Sequence, residues 1–306
     1  MENRKLYLQI ISKVEDLVSN LSISQSVNKD LSNLKDEITD FRVIIPVVGG
    51  FSAGKTSLIN SYFSTKFKTD LLPETAIATE LHYSQKEKIR AYSINGKFEE
   101  YSIEELDTID CRKYSFLQVY LNNNKIKELN DITVVDMPGL DSNIEQHNKA
   151  IFNYINEASH YILVSDIDHG IKESVLNFLN EINTYNIGCS IILSKTDHKL
   201  DEDVQDIFNN TRSNIDAFWG KEVFLGKTST KTNEIEDFEY ILKNINVDLI
   251  IKYKFKNRIL NILENIISEL TVLKKCNKID TDELEKRIFE IQRGLKEIDF
   301  KINEEE

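Results

Sequence analysis

VIIPVVGGFSAGKTSLIN, residues 43–60, decides the fold. Its first half is a continuous apolar run ending in glycines, the pattern of a strand buried on both faces of a parallel sheet. Its second half, Gly49-Gly50-Phe51-Ser52-Ala53-Gly54-Lys55-Thr56, matches GxxxxGK[ST] and runs into a helical SLINSYF. In that strand–loop–helix context the glycines let backbone N–H groups curl around phosphates, and the helix N-terminus adds partial positive charge. Lys55 is placed to reach the β- and γ-phosphates and the Thr56 hydroxyl to ligate Mg²⁺. Gly50, Phe51, Ser52, Ala53, Gly54 and Ser57 complete the expected phosphate loop.

Two downstream motifs turn a phosphate loop into a nucleotide reading. Asp136-Met137-Pro138-Gly139 ends the strand-like ITVVD, where an aspartate holds the water shell of Mg²⁺ and Gly139 offers its N–H to the γ-phosphate. Ser194-Lys195-Thr196-Asp197 ends CSIILSK and approximates [NT]KxD. In that motif the carboxylate accepts from guanine N1 and N2 while the lysine stem covers the base. A strand-ending Asp-x-Pro-Gly turn is common by itself; the order and spacing of all three motifs are what imply GTP over ATP. After EVFLGK, Thr228 and Ser229 stand where a base-closing loop is expected.

Outward from these motifs, strand-like runs alternate with helical stretches to about Lys231, which predicts a doubly wound, mostly parallel α/β sheet. FLQVYL (116–121) and ITVVD (132–136) read as adjacent strands, and YILVSD, CSIILSK and EVFLGK as later ones. IRAYSINGKFEEYSI predicts a hairpin with a type I′ turn at Asn95-Gly96. Both ends of the chain read as helix. Leu6, Ile10, Val14, Leu17 and Leu21 form one apolar stripe, and Val27, Leu31, Leu34 and Ile38 a second. Ile245, Leu249, Tyr253, Ile259, Leu263, Ile266, Leu270 and Leu273 predict a long helix. Asp280 with Glu283 resembles a capping pair before the seam Leu284, Ile288, Ile291, Leu295, Ile298. The expected division is 1–40 as N-terminal bundle helices, 41–235 as the nucleotide domain, and 236–306 as C-terminal helices packing with the first ones or beginning a truncated stalk.

Composition narrows the remaining classes. A net charge of −13 and a pI near 5.0 argue against a general nucleic-acid binder, which needs clustered Lys and Arg. The three cysteines, Cys111, Cys189 and Cys276, lack CxxC spacing, which favours a reducing cytosol over a disulfide framework or zinc site. No apolar run is long enough for a transmembrane helix.

VVGGFSAGKTSLIN, with Ser-Ala before Gly-Lys, resembles the P-loop of dynamins and bacterial dynamin-like proteins. Leu72-Pro73-Glu74-Thr75-Ala76 with Thr79-Glu80-Leu81-His82-Tyr83 resembles their switch I, and DMPGLDSNIEQHNKAI (136–151), including His147, their switch II and following helix. The resemblance covers about residues 40–235. It implies a catalytic set of Ser52, Lys55 and Thr75, with Thr56, Thr75 and Asp136 (through water) around Mg²⁺; Thr79 remains the rival to Thr75. Ras-type GTPases place a water-orienting glutamine after the DxxG glycine, but this chain has Leu140 there, whose side chain can neither donate nor accept. The resemblance fills that gap with Ser52 and a K⁺ or Na⁺ ion organised when two G domains pair. It implies GTP hydrolysis activated by homodimerisation, or by pairing with a related dynamin-like partner, and coupled to membrane remodelling by a cytoplasmic protein peripheral to the membrane. The alternative is a GTP-dependent switch whose helices bind a protein effector without any membrane role.

The guanine assignment has a direct test. Asp197→Asn should move preference toward xanthine nucleotides, whose exchanged donor and acceptor suit an amide. Competition of XDP and ADP against labelled GDP reads this, and equal competition by ADP against the wild type would sink the assignment.

Overall fold

The computed structural model of the chain describes residues 2–19, 21, 25–67, 77–129, 131–140, 154, 157–170, 173–185, 187–219, 223–275 and 281–303. The chain divides into two compact units, Met1–Phe41 with Asn246–Glu306, and Arg42–Ile245.

The first unit is helical: α1 (Glu2–Val18), α2 (Gln25–Asp40), α8 (Val247–Lys275) and α9 (Thr281–Asn303). The apolar stripes meet in one core that includes Leu6, Ile10, Val14, Leu31, Ile38, Ile259, Leu263, Leu284 and Ile298. Asp248 lies in the first turn of α8 and serves α1 as well. Its carboxylate accepts from the Asn3 backbone N–H at 3.0 and 3.2 Å and from Asn3 Nδ2 at 2.9 Å, satisfying a donor that the start of α1 leaves without an intrahelical partner. The register of α8 differs from expectation in its first turns. Ile251 and Phe255 face the core while Tyr253 is exposed, and the expected stripe rejoins at Ile259. Phe255 sets this register: its ring is fully buried and meets Phe41 edge to face at 5.1 Å. Asp280, the expected cap of α9, lies outside the described residues.

The second unit is α/β. Its strands are β1 (Val43–Gly49), β2 (Ala78–Tyr83), β3 (Lys88–Tyr92), β4 (Phe98–Tyr101), β5 (Phe116–Leu121), β6 (Ile132–Asp136), β7 (His160–Asp166), β8 (Gly188–Ser194) and β9 (Phe224–Lys227). Its helices are α3 (Lys55–Phe63), α4 (Asn124–Glu128), α5 (Glu173–Thr184), α6 (Asp201–Trp219) and α7 (Glu236–Asn244). Among the described residues one sheet runs β4-β3-β5-β2-β6-β1-β7-β8-β9. The block β6-β1-β7-β8-β9 is parallel throughout, and β1, whose Ile45, Val47 and Val48 are buried, lies at its heart. Pro46 is tolerated in this central strand one residue before the β7 ladder begins at Val47.

Three sequence expectations are corrected here. β5 and β6 are not neighbours. β2 lies between them, parallel to β5 and antiparallel to β6, so the chain from β5 must cross β2 to reach β6. The β3–β4 hairpin closes differently from a type I′ turn. Gly96 (φ 75) is left-handed while Asn95 is not; Gly96 N–H donates to Ser93 O and Ser93 N–H to Lys97 O, a three-residue loop ending in a left-handed glycine. Asn95 acts instead through its side chain, which accepts from Lys97 N–H at 3.1 Å. Finally, α7 belongs to the sheet unit, so that unit ends at 245 rather than 235. Phe238 is buried against Tyr62, Tyr240 stacks on Phe224, and Asp237 accepts from Lys227 N–H, which ties α7 to α3 and β9.

Truncation at the bundle's most buried aromatic should be costly. Phe255→Ala is expected to destabilise the helical unit by about 3–5 kcal/mol. Urea unfolding followed by far-UV circular dichroism measures it, and a change under about 1 kcal/mol would contradict the core placement.

Candidate functional site

Because β6, β1, β7, β8 and β9 are parallel, their C-terminal ends open onto one edge of the sheet. The chain leaves β1 with β6 on one side and β7 on the other, the switch point at which open α/β sheets bind ligands. The phosphate loop, Asp136-Met137-Pro138-Gly139 and Ser194-Lys195-Thr196-Asp197 arrive at this edge.

The loop after β1 curls through two left-handed residues, Ser52 (φ 60) and Gly54 (φ 90). Gly54 is the N-cap of α3, where only glycine takes that backbone without steric cost. Phe51 and Ser52 are exposed, Ala53 is buried, and Ser57 lies in the first turn of α3. Lys55 is buried, its Nζ donating to Gly49 O at 3.2 Å and Gly50 O at 3.0 Å, so the ammonium stands inside the loop. Thr56 Oγ1 donates to Asp136 Oδ2 at 2.6 Å. The other carboxylate oxygen, Asp136 Oδ1, is buried without a hydrogen-bond partner. Burial pushes the Asp136 carboxyl above the ordinary aspartate range, against the Thr56 hydrogen bond and the Lys55 charge. A buried carboxylate oxygen lacking a partner, beside a hydroxyl, is a hard oxygen donor set that fits Mg²⁺. Gly139 lies against the phosphate loop, where a Cβ would stand 3.0 Å from Phe51 N and Cα. Leu140 donates its N–H to Gly49 O at 3.0 Å.

Beyond β8, Lys195 takes a left-handed backbone (φ 59) at the start of a short 3₁₀ turn, Thr196–His198. Asp197 Oδ1 accepts from the Ser229 hydroxyl at 2.7 Å, and this bond holds the carboxyl below its ordinary range. Ser229 is buried and exchanges both backbone bonds with Glu234, which closes the loop after β9. Thr228 contributes backbone: its N–H donates to Leu193 O, and its carbonyl accepts from Thr196 N–H and Oγ1. Ser194, the departure from [NT]KxD, is buried. Its hydroxyl lies 2.6 Å from Ala53 O and 3.2 Å from Ser165 O, so it joins the base loop to the phosphate loop and to β7.

Thr75 and the stretch with His147 lie outside the described residues. Thr79 lies in β2 directly opposite Asp136, and its hydroxyl donates to Ile77 O. Next to it, the buried Glu80 accepts from Tyr154 OH, His82 Nε2 and Gln118 Nε2. Burial works against that carboxylate, yet the three donors keep it below the ordinary range.

Sequence reading passed over Asp166, which ends β7 and binds Lys195 Nζ at 2.7 Å. The signal was present: YILVSD ends in aspartate as ITVVD does, and the two strands flank β1.

Comparison with known proteins places this site in context. The family model described as "Dynamin family" matches residues 45–195. An uncharacterized protein from the xynA 3′ region of Caldicellulosiruptor sp. (strain Rt8B.4) is 25% identical over 213 residues, 65% of this chain and 51% of that protein. Dynamin-like protein 1 of Campylobacter jejuni subsp. jejuni (serotype O:23/36, strain 81-176) is 22% identical over 240 residues, 64% of this chain and 33% of that one. A solved chain of an oligomerised bacterial dynamin pair, described as a mechanism for long-range sensing and tethering of membranes, superposes with a TM-score of 0.59. It is 16% identical, with 90% of this chain and 58% of that chain covered, a likeness of fold. The chain thus spans about half the length of the first relative and about a third of the second.

The Ser194 clamp can be removed with little change in volume. Ser194→Ala should cost about 1–2 kcal/mol of stability in the sheet unit and weaken GDP binding, because the Ala53 carbonyl loses the hydroxyl that ties the two loops. Urea denaturation and GDP titration read the two effects; wild-type values in both would refute the clamp.

Proposed function

The chain carries a dynamin-family GTPase domain, and from that premise we propose that it hydrolyses GTP through paired G domains. One observation carries the proposal: along one sheet edge the Thr56–Asp136 pair at the end of β6, Lys55 after β1 and the Asp197–Ser229 pair after β8 and β9 follow in an order that suits metal, phosphates and base. Lys55 and the N–H groups of residues 50–57 would hold the phosphates. Asp197, oriented by Ser229 and with its second oxygen turned toward Lys231 at 3.8 Å, would accept from guanine N1 and N2. Mg²⁺ held by Thr56 and Asp136 would neutralise charge developing on the phosphates.

Leu140 marks what the isolated domain lacks. Its side chain is hydrocarbon and its N–H is already given to Gly49 O, so it cannot orient an attacking water. Ser52 is exposed and held in a left-handed conformation at the rim of the phosphate loop, where a second G domain could complete the site together with K⁺ or Na⁺. Thr75 is proposed to close over the γ-phosphate. The bacterial dynamin pair supports taking this chemistry to a membrane surface as an oligomer. Among the described residues no helix is long and apolar enough to cross a membrane. The effector-switch reading keeps one observation in its favour: Tyr253, Val272, Phe289 and Phe300 are exposed on α8 and α9 and suit a protein partner.

Turnover measured against protein concentration tests the paired mechanism. Specific activity should rise with concentration and with K⁺, and Ser52→Ala should abolish the cation effect and most turnover. Adding liposomes separates the readings, since stimulation supports the membrane role and indifference favours the switch. Activity flat over a hundredfold concentration range, without cation dependence, would overturn the paired mechanism and leave GTP binding intact.

A further inference from the structure

We propose that Asp166 is a positioning residue for nucleotide-base recognition: it pins the Lys195 ammonium so that the lysine stem is held as a fixed cover for the base. The inference rests on the guanine-nucleotide reading and adds the β7 loop to the site.

Asp166 ends β7 in register with Ser194, so the two strands deliver it beside the base loop without any freedom of their own. Its side chain is only 11% exposed, and both oxygens are committed. Oδ2 accepts from Lys195 Nζ at 2.7 Å, and Oδ1 accepts from Asp168 N–H at 2.8 Å. The carboxylate therefore cannot turn to follow a wandering lysine. Although burial opposes its charge, the Lys195 hydrogen bond and the Asp168 amide keep the acid below the ordinary aspartate range.

The lysine is fixed at its other end too. Its left-handed backbone is uncommon for a residue with a side chain, and neighbouring bonds impose it. Thr196 N–H donates to Thr228 O, His198 N–H to Lys195 O, and the Ser194 hydroxyl to Ala53 O. With the backbone set by one group of bonds and Nζ by Asp166, the four methylenes between them lose their rotational freedom before any ligand arrives. A long, flexible side chain otherwise surrenders that freedom on binding. The same pair of loops is joined a second time, farther out: Asp168 accepts from His198 Nδ1 at 2.8 Å and Lys199 Nζ at 2.9 Å, which draws its carboxyl down to about 2. The double tie makes residues 166–168 and 195–199 one rigid element.

A stem that covers the base face has no sense of the groups on the base edge; Asp197 reads those. The two roles separate experimentally through inosine nucleotides, which lack the exocyclic amine at N2. GDP and IDP affinities are measured for the wild type and for Asp166→Ala, Asp166→Asn and Asp197→Ala. Asp166→Ala should weaken GDP and IDP by the same factor, about tenfold, leaving their ratio unchanged. Asp166→Asn, which keeps an oxygen acceptor for Nζ, should recover most of the loss. Asp197→Ala should collapse the GDP-to-IDP ratio. Wild-type GDP affinity in Asp166→Ala, or a loss confined to GDP, would overturn the positioning role. Equal loss in the Asn and Ala variants would also overturn it, as an effect of charge or folding. A wild type that does not bind GDP would remove the guanine reading and this inference together, whereas failure of the Asp166 variants alone removes only the latter.

Discussion

Strand β1 pairs in parallel with β6 on one side and β7 on the other, and the functional loops take their places from that ladder. A strand hydrogen-bonded along both edges cannot shift register without breaking two ladders at once. The end of β1 therefore fixes where the phosphate loop begins. The same ladder fixes Asp136 at the end of β6 and Asp166 at the end of β7, so two carboxylates flank the loop at heights set by backbone hydrogen bonds. The side-chain bonds that cross between loops, Thr56 to Asp136 and Ser194 to Ala53, are short because the sheet has already aligned their ends.

An acidic chain must manage its carboxylates where they cluster, and this edge does so individually. Asp166 is matched by Lys195, Asp168 by His198 and Lys199, and Asp197 by the Ser229 hydroxyl with Lys231 beyond. Asp136 alone among these keeps a buried oxygen without a partner. Buried polar atoms are rarely left so, and those that are tend to await an ion or a ligand. The distribution separates the partnered acids on the loops after β7 and β8 from Asp136, whose open oxygen lies beside Thr56 at the end of β6.

Particular elements show how far sequence reading reached. FLQVYL and ITVVD match β5 and β6 in their bounds, yet the inserted β2 was invisible to it. Strand adjacency is a matter of which edge is free when chains pair, and hydrophobic alternation carries no record of it. The Asn95-Gly96 turn was located correctly, but its type depends on whether one or both residues adopt positive φ, which the flanking ladder decides. In α8 the expected apolar stripe missed the first turns, where Phe255 packs edge to face on Phe41 and Tyr253 is exposed. Ser229 was expected in a base-closing loop from its position alone, while its bond to Asp197 depends on how a loop closes between Ser229 and Glu234.

By itself the sequence determined the chemistry-bearing loops and the class of fold. Those features are local: a glycine-rich turn between strand and helix, an aspartate at a strand end, and apolar residues at a fixed period each reflect backbone geometry over a few residues. Only the tertiary structure decided which loops touch. Lys195 and Asp166 are 29 residues apart, Asp197 and Ser229 32, and Ser194 and Ala53 141. Such pairs meet because parallel strands carry distant segments to one edge, and no short-range pattern encodes a meeting whose distance is set by the ladder between them.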